Sequence, residues 1–173
     1  MKKFLMPDFY YKNIYKINFY KLKELGIENL IIDIDNTLMP WGSKIADESV
    51  KELINNLIRQ GFKICLLSNS SGRRVKLFRG DLDIDYFSVV GIKPMKIMFK
   101  GAMKKLNAAP FNTCVIGDQI FTDILGGNRC KTYTILVDPI SSKEFITTKI
   151  IRKIEGLIKK NLIYEKEFSD GEG

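Results

Sequence analysis

The stretch Asn29-Leu30-Ile31-Ile32-Asp33-Ile34-Asp35-Asn36-Thr37-Leu38 decides how the rest of the chain is read. Its apolar residues follow one another without alternation, as in a strand covered on both faces, and the run then stops at two carboxylates. The design returns at Lys63-Ile64-Cys65-Leu66-Leu67-Ser68, at Tyr86-Phe87-Ser88-Val89-Val90, at Thr113-Cys114-Val115-Ile116-Gly117-Asp118 and at Thr132-Tyr133-Thr134-Ile135-Leu136-Val137. Between the first two runs, Val50, Leu53, Ile54, Leu57 and Ile58 recur at helical spacing over residues 47–60, and Gly61 supplies a stop signal. A second helical pattern over residues 95–107 breaks at Ala108-Ala109-Pro110. Continuous apolar strands separated by helices predict an α/β fold with a doubly wound, mainly parallel sheet. Such sheets hold ligands at the carboxyl ends of their strands, near a topological switch point. The polar residues collect there: Asp33 and Asp35 after the first strand, Ser68 and Asn69 after the second, Lys93-Pro94 beyond the third, Asp118 after the fourth.

Composition narrows the chemistry. The chain has 173 residues, 45% of them hydrophobic and 28% charged, with 13 Gly and 5 Pro, which suits one globular domain with its own core. It contains no histidine. Ser-His-Asp and Cys-His triads and His-ligated zinc are therefore excluded. The three cysteines, Cys65, Cys114 and Cys130, show no CxxC spacing, and the positions six residues on are Ser71, Ile120 and Leu136 rather than the Arg of a cysteine-phosphatase loop. They read as reduced, buried packing residues. No apolar stretch reaches the ~18 residues of a membrane span, and Asp8, Lys12 and Lys16 interrupt any signal-type run after Lys2 and Lys3. A cytoplasmic protein is expected, with a peripheral place at the inner face of the membrane as a further option. The net charge is +8; residues 1–25 and 141–160 contribute +4 each, and the tail 161–173 carries −3. That balance favours anionic partners: nucleic acid, an anionic lipid surface or a phosphorylated substrate.

Two carboxylates at i and i+2 on an extended chain lie on one side, where their repulsion calls for a cation. Asp118 and Asp123 bring the acids to four. Oxygen donors without His or a Cys cluster point to Mg²⁺, which needs few carboxylates when a substrate phosphate completes its shell. Lys93 offers a second positive charge for that phosphate. By contrast, Asp47 reads as a helix cap, and Asp81, Asp83 and Asp85 as turn residues.

With these residues in place the chain resembles the haloacid dehalogenase (HAD) superfamily. Asp33-x-Asp35-x-Thr37 resembles its first motif, Ser68-Asn69 the second, Lys93-Pro94 the third, and Gly117-Asp118-Gln119-x-x-Thr122-Asp123 the fourth, in the right order. Met6-Pro7-Asp8, the run Arg73-Arg74-Val75-Lys76-Leu77-Phe78, Lys93-Pro94-Met95 and Gly126-Gly127-Asn128-Arg129 narrow the resemblance to YqeG-type phosphatases, related to phosphatidylglycerophosphate phosphatases. The resemblance implies that Asp33 is the nucleophile forming an aspartyl phosphate, and that Asp35 is the general acid and base. It implies that Mg²⁺ is held by the Asp33 and Asp118 carboxylates and the Asp35 backbone carbonyl, with Asp123 near the metal or orienting Lys93. Ser68 and Lys93 would hold phosphoryl oxygens, with Asn69 assisting.

The spacing leaves no room for a cap domain, because 35 positions separate Asp33 from Ser68 and 25 separate Ser68 from Lys93. The flap at Met39-Pro40-Trp41-Gly42-Ser43 is too short to enclose a metabolite, so an open site for a large or surface-bound substrate is expected. Arg73 and Arg74 are positioned by sequence to bind a second anionic group of the substrate. Residues 1–28 form a basic aromatic segment packed on or beside the core, residues 29–140 the HAD-like catalytic core, and residues 141–173 an amphipathic basic helix with an acidic tail, all within one domain. Six lysines and seven aromatics in residues 1–25 suit either a membrane interface or packing on the sheet. The expected partner is a phosphorylated substrate, favoured as a lipid at an anionic membrane surface. No DNA partner is expected, no motif supports RNA, and the oligomeric state is left open. The alternatives are a phosphatase of a soluble metabolite or phosphorylated macromolecule, and an RNA- or ribosome-docking protein with the same fold.

Overall fold

The strand that begins at Asn29 has neighbours on both sides in the sheet and cover on both faces, which is why Leu30, Ile31 and Ile32 follow one another without alternation. In the computed structural model, which describes residues 2–87, 92–141, 146–160 and 162–165, it lies inside a six-stranded sheet. In chain order the elements are β1 (Phe9–Tyr11), α1 (Phe19–Glu24), β2 (Asn29–Ile32), α2 (Glu48–Arg59), β3 (Lys63–Leu67) and α3 (Gly72–Arg79). There follow β4 (Asp85–Phe87), α4 (Lys96–Leu106), β5 (Thr113–Gly117), α5 (Leu125–Arg129), β6 (Tyr133–Val137) and α6 (Ile146–Lys159). The sheet order is β1-β6-β5-β2-β3-β4 and every pairing is parallel. The doubly wound α/β reading holds, and the order reverses at β2, which places the switch point beside Asp33.

Successive side chains of β2 point to opposite faces, and each face has its own cover. Leu30 and Ile32 join Ile64, Leu66, Val50, Ile54, Leu57, Val75 and Phe78 in one buried cluster under α2 and α3. Ile31 joins Cys65, Leu67, Val115, Met98, Phe99, Ala102 and Met103 in another under α4. Helix α2 matches its expected span because Asp47 caps it, accepting from the Val50 N–H at 2.9 Å, and Gly61 leaves it at φ +80°. Gly126 and Gly127 serve close packing: a Cβ on Gly126 would stand 2.1 Å from the Phe99 ring, and one on Gly127 2.6 Å from Thr134 Cγ2. All three cysteines are buried and free, as expected.

Strand β1 was not among the expected strands. It pairs with the edge of β6, Phe9 opposite Ile135, and Asp8 fixes the junction by accepting from the Thr134 N–H at 2.8 Å and its hydroxyl at 3.0 Å. The aromatic segment therefore divides: Tyr10, Tyr11 and Phe19 are buried, while Phe4, Tyr15 and Tyr20 are exposed. Residues 162–165 return over this edge. The Glu165 N–H donates to the Tyr10 carbonyl at 2.8 Å, the Tyr164 ring stacks on Tyr10 at 4.3 Å, and both hydroxyls donate to Asp138 at 2.5 and 2.6 Å.

Helix α6 carries both partly buried and exposed apolar residues. Glu155 is buried and accepts from the Phe121 N–H at 3.0 Å, Ile158 packs beside Tyr10 and Ile124, and Ile154 and Leu157 are left exposed. Ser88, Val89 and Val90 of the third expected strand, and residues 166–173 of the acidic tail, lie outside the described residues. Among the described residues no helix is long and apolar enough to cross a membrane.

Candidate active site

Because β2, β3 and β5 are adjacent and parallel, the residues that follow them emerge side by side. The chain leaves β2 through Asp33, whose N–H still donates to the Ile116 carbonyl at 3.0 Å, and turns at Asn36, which sits at φ +63°. The Asn36 side chain accepts from the Trp41 N–H at 3.2 Å and so holds the flap over the turn. A cavity of about 200 Å³ opens between these segments, lined among others by Asp33, Asp35, Ser68, Lys93, Asp118 and Asp123.

At its floor Lys93 bridges two acids: Nζ donates to Asp33 Oδ1 at 2.5 Å and to Asp123 Oδ1 at 2.7 Å. All four groups are buried, with 5% exposure at Lys93, 6% at Asp33, 1% at Asp118 and 2% at Asp123. The carboxylates of Asp33, Asp118 and Asp123 each place an oxygen within 4.8 Å of the others. Burial raises the Asp33 carboxyl well above the usual carboxylate range, and the negative charges of Asp123 and Asp118 add to it against the pull of Lys93. Burial alone would lower Lys93, but Asp123 and Asp33 overcome it and hold the ammonium above its ordinary value. Three buried carboxylates within reach of one another form an all-oxygen donor set that fits a hard divalent cation.

Second-layer contacts set this cluster. Asp123 Oδ2 accepts from the Gln119 N–H and the Thr122 hydroxyl, both at 3.2 Å, in the wide π-helical turn at Ile120–Ile124 that follows β5. Gly117 lies directly beneath: a Cβ there would stand 2.2 Å from Asp123 Cγ. Asn69 is exposed, and its Oδ1 accepts from the Lys93 N–H at 2.7 Å, tying the second motif to the third.

Asp35 takes a different environment from the other acids. Its carboxylate is gripped by Arg74, Nη2 to Oδ1 at 2.7 Å and Nη1 to Oδ2 at 2.6 Å. It also accepts from the Gly42 N–H at 3.1 Å, the Ser70 hydroxyl at 3.1 Å and the Ser68 hydroxyl at 3.3 Å. Burial alone would raise its pKa, but Arg74, the Gly42 N–H and the Ser70 hydroxyl together hold it below the usual range. Its side chain is not part of the three-acid cluster, and the metal contact expected of Asp35 was through its backbone carbonyl.

Most of the expected site residues thus converge. Asp33, Asp118, Asp123 and Lys93 form the floor, Ser68 and Asp35 one wall, and Asn69 a support. Arg73 is exposed beyond that wall. The pairing of Arg74 with Asp35 and the part of Ser70 were not foreseen, whereas Trp41 lines the cavity from the expected flap. A serine two positions past Ser68 was the available signal for Ser70.

An all-parallel doubly wound sheet that gathers acids, a lysine and a serine at its carboxyl edge, with only a flap and single helices in between, defines a class, and sequence comparison agrees. The chain belongs to the haloacid dehalogenase-like hydrolases, whose family model matches residues 10–131. Within them it is a phosphatase, a phosphoric monoester hydrolase. It is 39% identical over 155 residues to the probable phosphatase YqeG of Bacillus subtilis (strain 168), with 90% of each chain covered. It is also 26% identical over 170 residues to phosphatidylglycerophosphate phosphatase 1, chloroplastic/mitochondrial, of Arabidopsis thaliana, covering 92% of this chain and 49% of that longer one. In fold it resembles the cobalt-bound deoxy-D-mannose-octulosonate 8-phosphate phosphatase (YrbI) of Haemophilus influenzae, with a TM-score of 0.55 at 17% identity over 80% of this chain and 90% of that one. No cap domain is present among the described residues, as the spacing predicted.

Proposed function

We propose that this phosphatase is magnesium-dependent, works through an aspartyl phosphate on Asp33, and has phosphatidylglycerophosphate as its preferred substrate. The observation that carries the chemical part is the Lys93 bridge within the buried acid cluster. Asp33 and Asp118, with Asp123, are the groups that would hold Mg²⁺, together with the Asp35 backbone carbonyl. When bound, the ion supplies charge neutralisation for the phosphoryl oxygens.

The residues of the chain supply the rest. Asp33 attacks phosphorus, the bond to the leaving alkoxide breaks, and Asp35, having taken up a proton from solvent, delivers it to that alkoxide. Asp35 then takes a proton from the water that attacks phosphorus and returns the Asp33 carboxylate with release of phosphate. Lys93 and Ser68 hold phosphoryl oxygens. Lys93 remains charged throughout, since both of its partners favour the ammonium.

Two observations support the lipid part. Relatives that align along most of this chain bear the name phosphatidylglycerophosphate phosphatase. Next to the cavity, the exposed apolar residues Trp41 and Leu77 line a groove together with the exposed basic residues Lys44 and Arg73. An apolar and basic rim suits a site that meets its substrate at an anionic lipid surface.

Phosphate release from a panel of lipid, sugar, nucleotide and peptide phosphomonoesters, with and without Mg²⁺, tests both parts. Activity should require Mg²⁺, vanish in Asp33→Asn, fall ~10- to 1000-fold in Ser68→Ala, and be greatest on phosphatidylglycerophosphate in mixed micelles. Turnover retained by Asp33→Asn would remove the mechanism, and equal rates across the panel would remove the substrate.

A further inference from the structure

Beside the catalytic cavity lies a second groove of about 430 Å³ that shares Trp41, Asn69 and Ser70 with it. Its apolar surface comes mainly from Trp41 and Leu77, which are 43% and 56% exposed. Lys44, Arg73 and Arg74 add three cations, and no acid lines it. A phosphate bound over Asp33 would have this groove next to it.

Arg74 lines this groove and reaches from it to Asp35 in the wall of the catalytic cavity. It occupies both oxygens of Asp35, donates to the Ser43 carbonyl at 2.8 Å and also bonds the Ser70 hydroxyl. With the Gly42 N–H and two serine hydroxyls, five donor atoms converge on one carboxylate. A carboxylate offers about four lone-pair sites, so Asp35 has no oxygen left to turn toward a leaving group. Arg74 is the partner with an alternative, because it lines the groove and its Nε–H is buried without a hydrogen bond. A planar guanidinium released from a carboxylate pairs equally well with the two free oxygens of a phosphodiester.

We propose that the groove is the subsite for a second anionic group on the leaving-group side of the substrate, and that Arg74 gates the site by clamping Asp35 until that anion draws it away. This rests on the phosphatase reading and adds a selection rule to it: one phosphate suffices to bind, and two anions are needed to free Asp35. Part of the binding energy of the second anion goes into moving Arg74, so its effect on kcat exceeds its effect on KM. Arg74 acts through Asp35 and is a positioning residue.

The test compares glycerol 3-phosphate with glycerophosphoglycerol phosphate, whose phosphodiester stands three carbons from the terminal phosphomonoester, in wild type, Arg74→Ala and Arg74→Lys. Wild type should favour the second compound by at least ~50-fold, chiefly in kcat. In Arg74→Ala, kcat should rise ~3-fold or more on glycerol 3-phosphate and fall ~10-fold or more on the two-anion compound, with Arg74→Lys, which lacks the fork, between the two. Equal losses on both compounds in Arg74→Ala would assign the residue a structural role and overturn the gate, as would a preference that survives the substitution. A binding arm is independent of turnover: glycerophosphoglycerol, which has the phosphodiester alone, should bind calorimetrically to Asp33→Asn protein ~10-fold more weakly once Arg74→Ala is added, and unchanged binding would overturn the subsite. Wild type and Asp33→Asn showing the same phosphate release would instead refute the phosphatase reading itself. Repeating the kinetics with phosphatidylglycerophosphate in mixed micelles separates a lipid source of the second anion from a soluble one.

Discussion

Asp33 pays for its reactivity in stability. Its raised pKa means that the folded chain holds the Asp33 proton more tightly than the unfolded chain does. Ionisation therefore costs stability at every pH above the unfolded value of about 4, by an amount that grows until the folded pKa is passed. Asp33→Asn removes that cost while leaving Lys93 its contact to Asp123, so the metal-free variant should melt a few degrees higher than wild type at pH 7, on the order of 1 kcal/mol. The gain should shrink as the pH is lowered toward 4, and thermal melting without metal across that range checks both statements; a variant less stable than wild type at pH 7 would contradict them. Asp35 has the opposite sign. Its lowered pKa gives stability that is present above about 4 and lost below, so the destabilisation caused by Arg74→Ala at pH 7 should fade in acid. At this scale the sequence was legible where a side chain's role follows from its motif. Asp33 and Asp118 meet because they follow the adjacent strands β2 and β5, and Lys93 and Asp123 were found through their motifs. The Arg74–Asp35 clamp spans 39 positions and depends on where α3 starts, a matter of tertiary placement that periodicity does not carry.

The elements that were read from the chain are those whose burial is written into every residue. β2, β3, β5 and β6 are apolar on both faces and end in polar residues, and α2 carries its cap, its stripe and its stop. β1 is an edge strand of three residues, Phe9–Tyr11, set among lysines, and only pairing with β6 makes it a strand. The turn at Ile120–Ile124 was also illegible, because its shape is imposed by Asp123 accepting from the Gln119 N–H. Gly117 shows what that turn requires. Gly117→Ala would push its Cβ against Asp123 and should lower phosphatase turnover ~10-fold or more by moving one member of the cluster, with a smaller change in stability. Gly126→Ala, which meets Phe99, should instead cost ~1–3 kcal/mol of stability. Gly156, in α6 with nothing within 4 Å of its Cβ position, is the control, and its alanine variant should be neutral or slightly stabilising in denaturant titration.

At the scale of the molecule, the lack of a cap among the described residues was legible from two spacings, and it has a functional corollary. A phosphomonoester whose leaving group is attached to a large carrier should lose less than ~3-fold in kcat/KM relative to the free ester, because among the described residues no cap domain covers the cavity beside the flap residue Trp41. A loss beyond ~30-fold would reveal an enclosure by other means. The placement of the chain's two outer segments was less legible, since aromatic residues near lysines serve a lipid surface and a sheet edge equally well by composition. Their meeting at Tyr10, Asp138 and Tyr164 sets a condition on biosynthesis. Strand β1 leaves the ribosome first among the strands, yet its partner β6 lies 126 positions later, Phe9 opposite Ile135. At typical elongation rates that is a delay on the order of ten seconds, through which Phe9, Tyr10 and Tyr11 must remain unpaired. The nascent chain thus exposes an unpaired apolar strand throughout that interval, and the sheet closes over that edge only once β6 has been made.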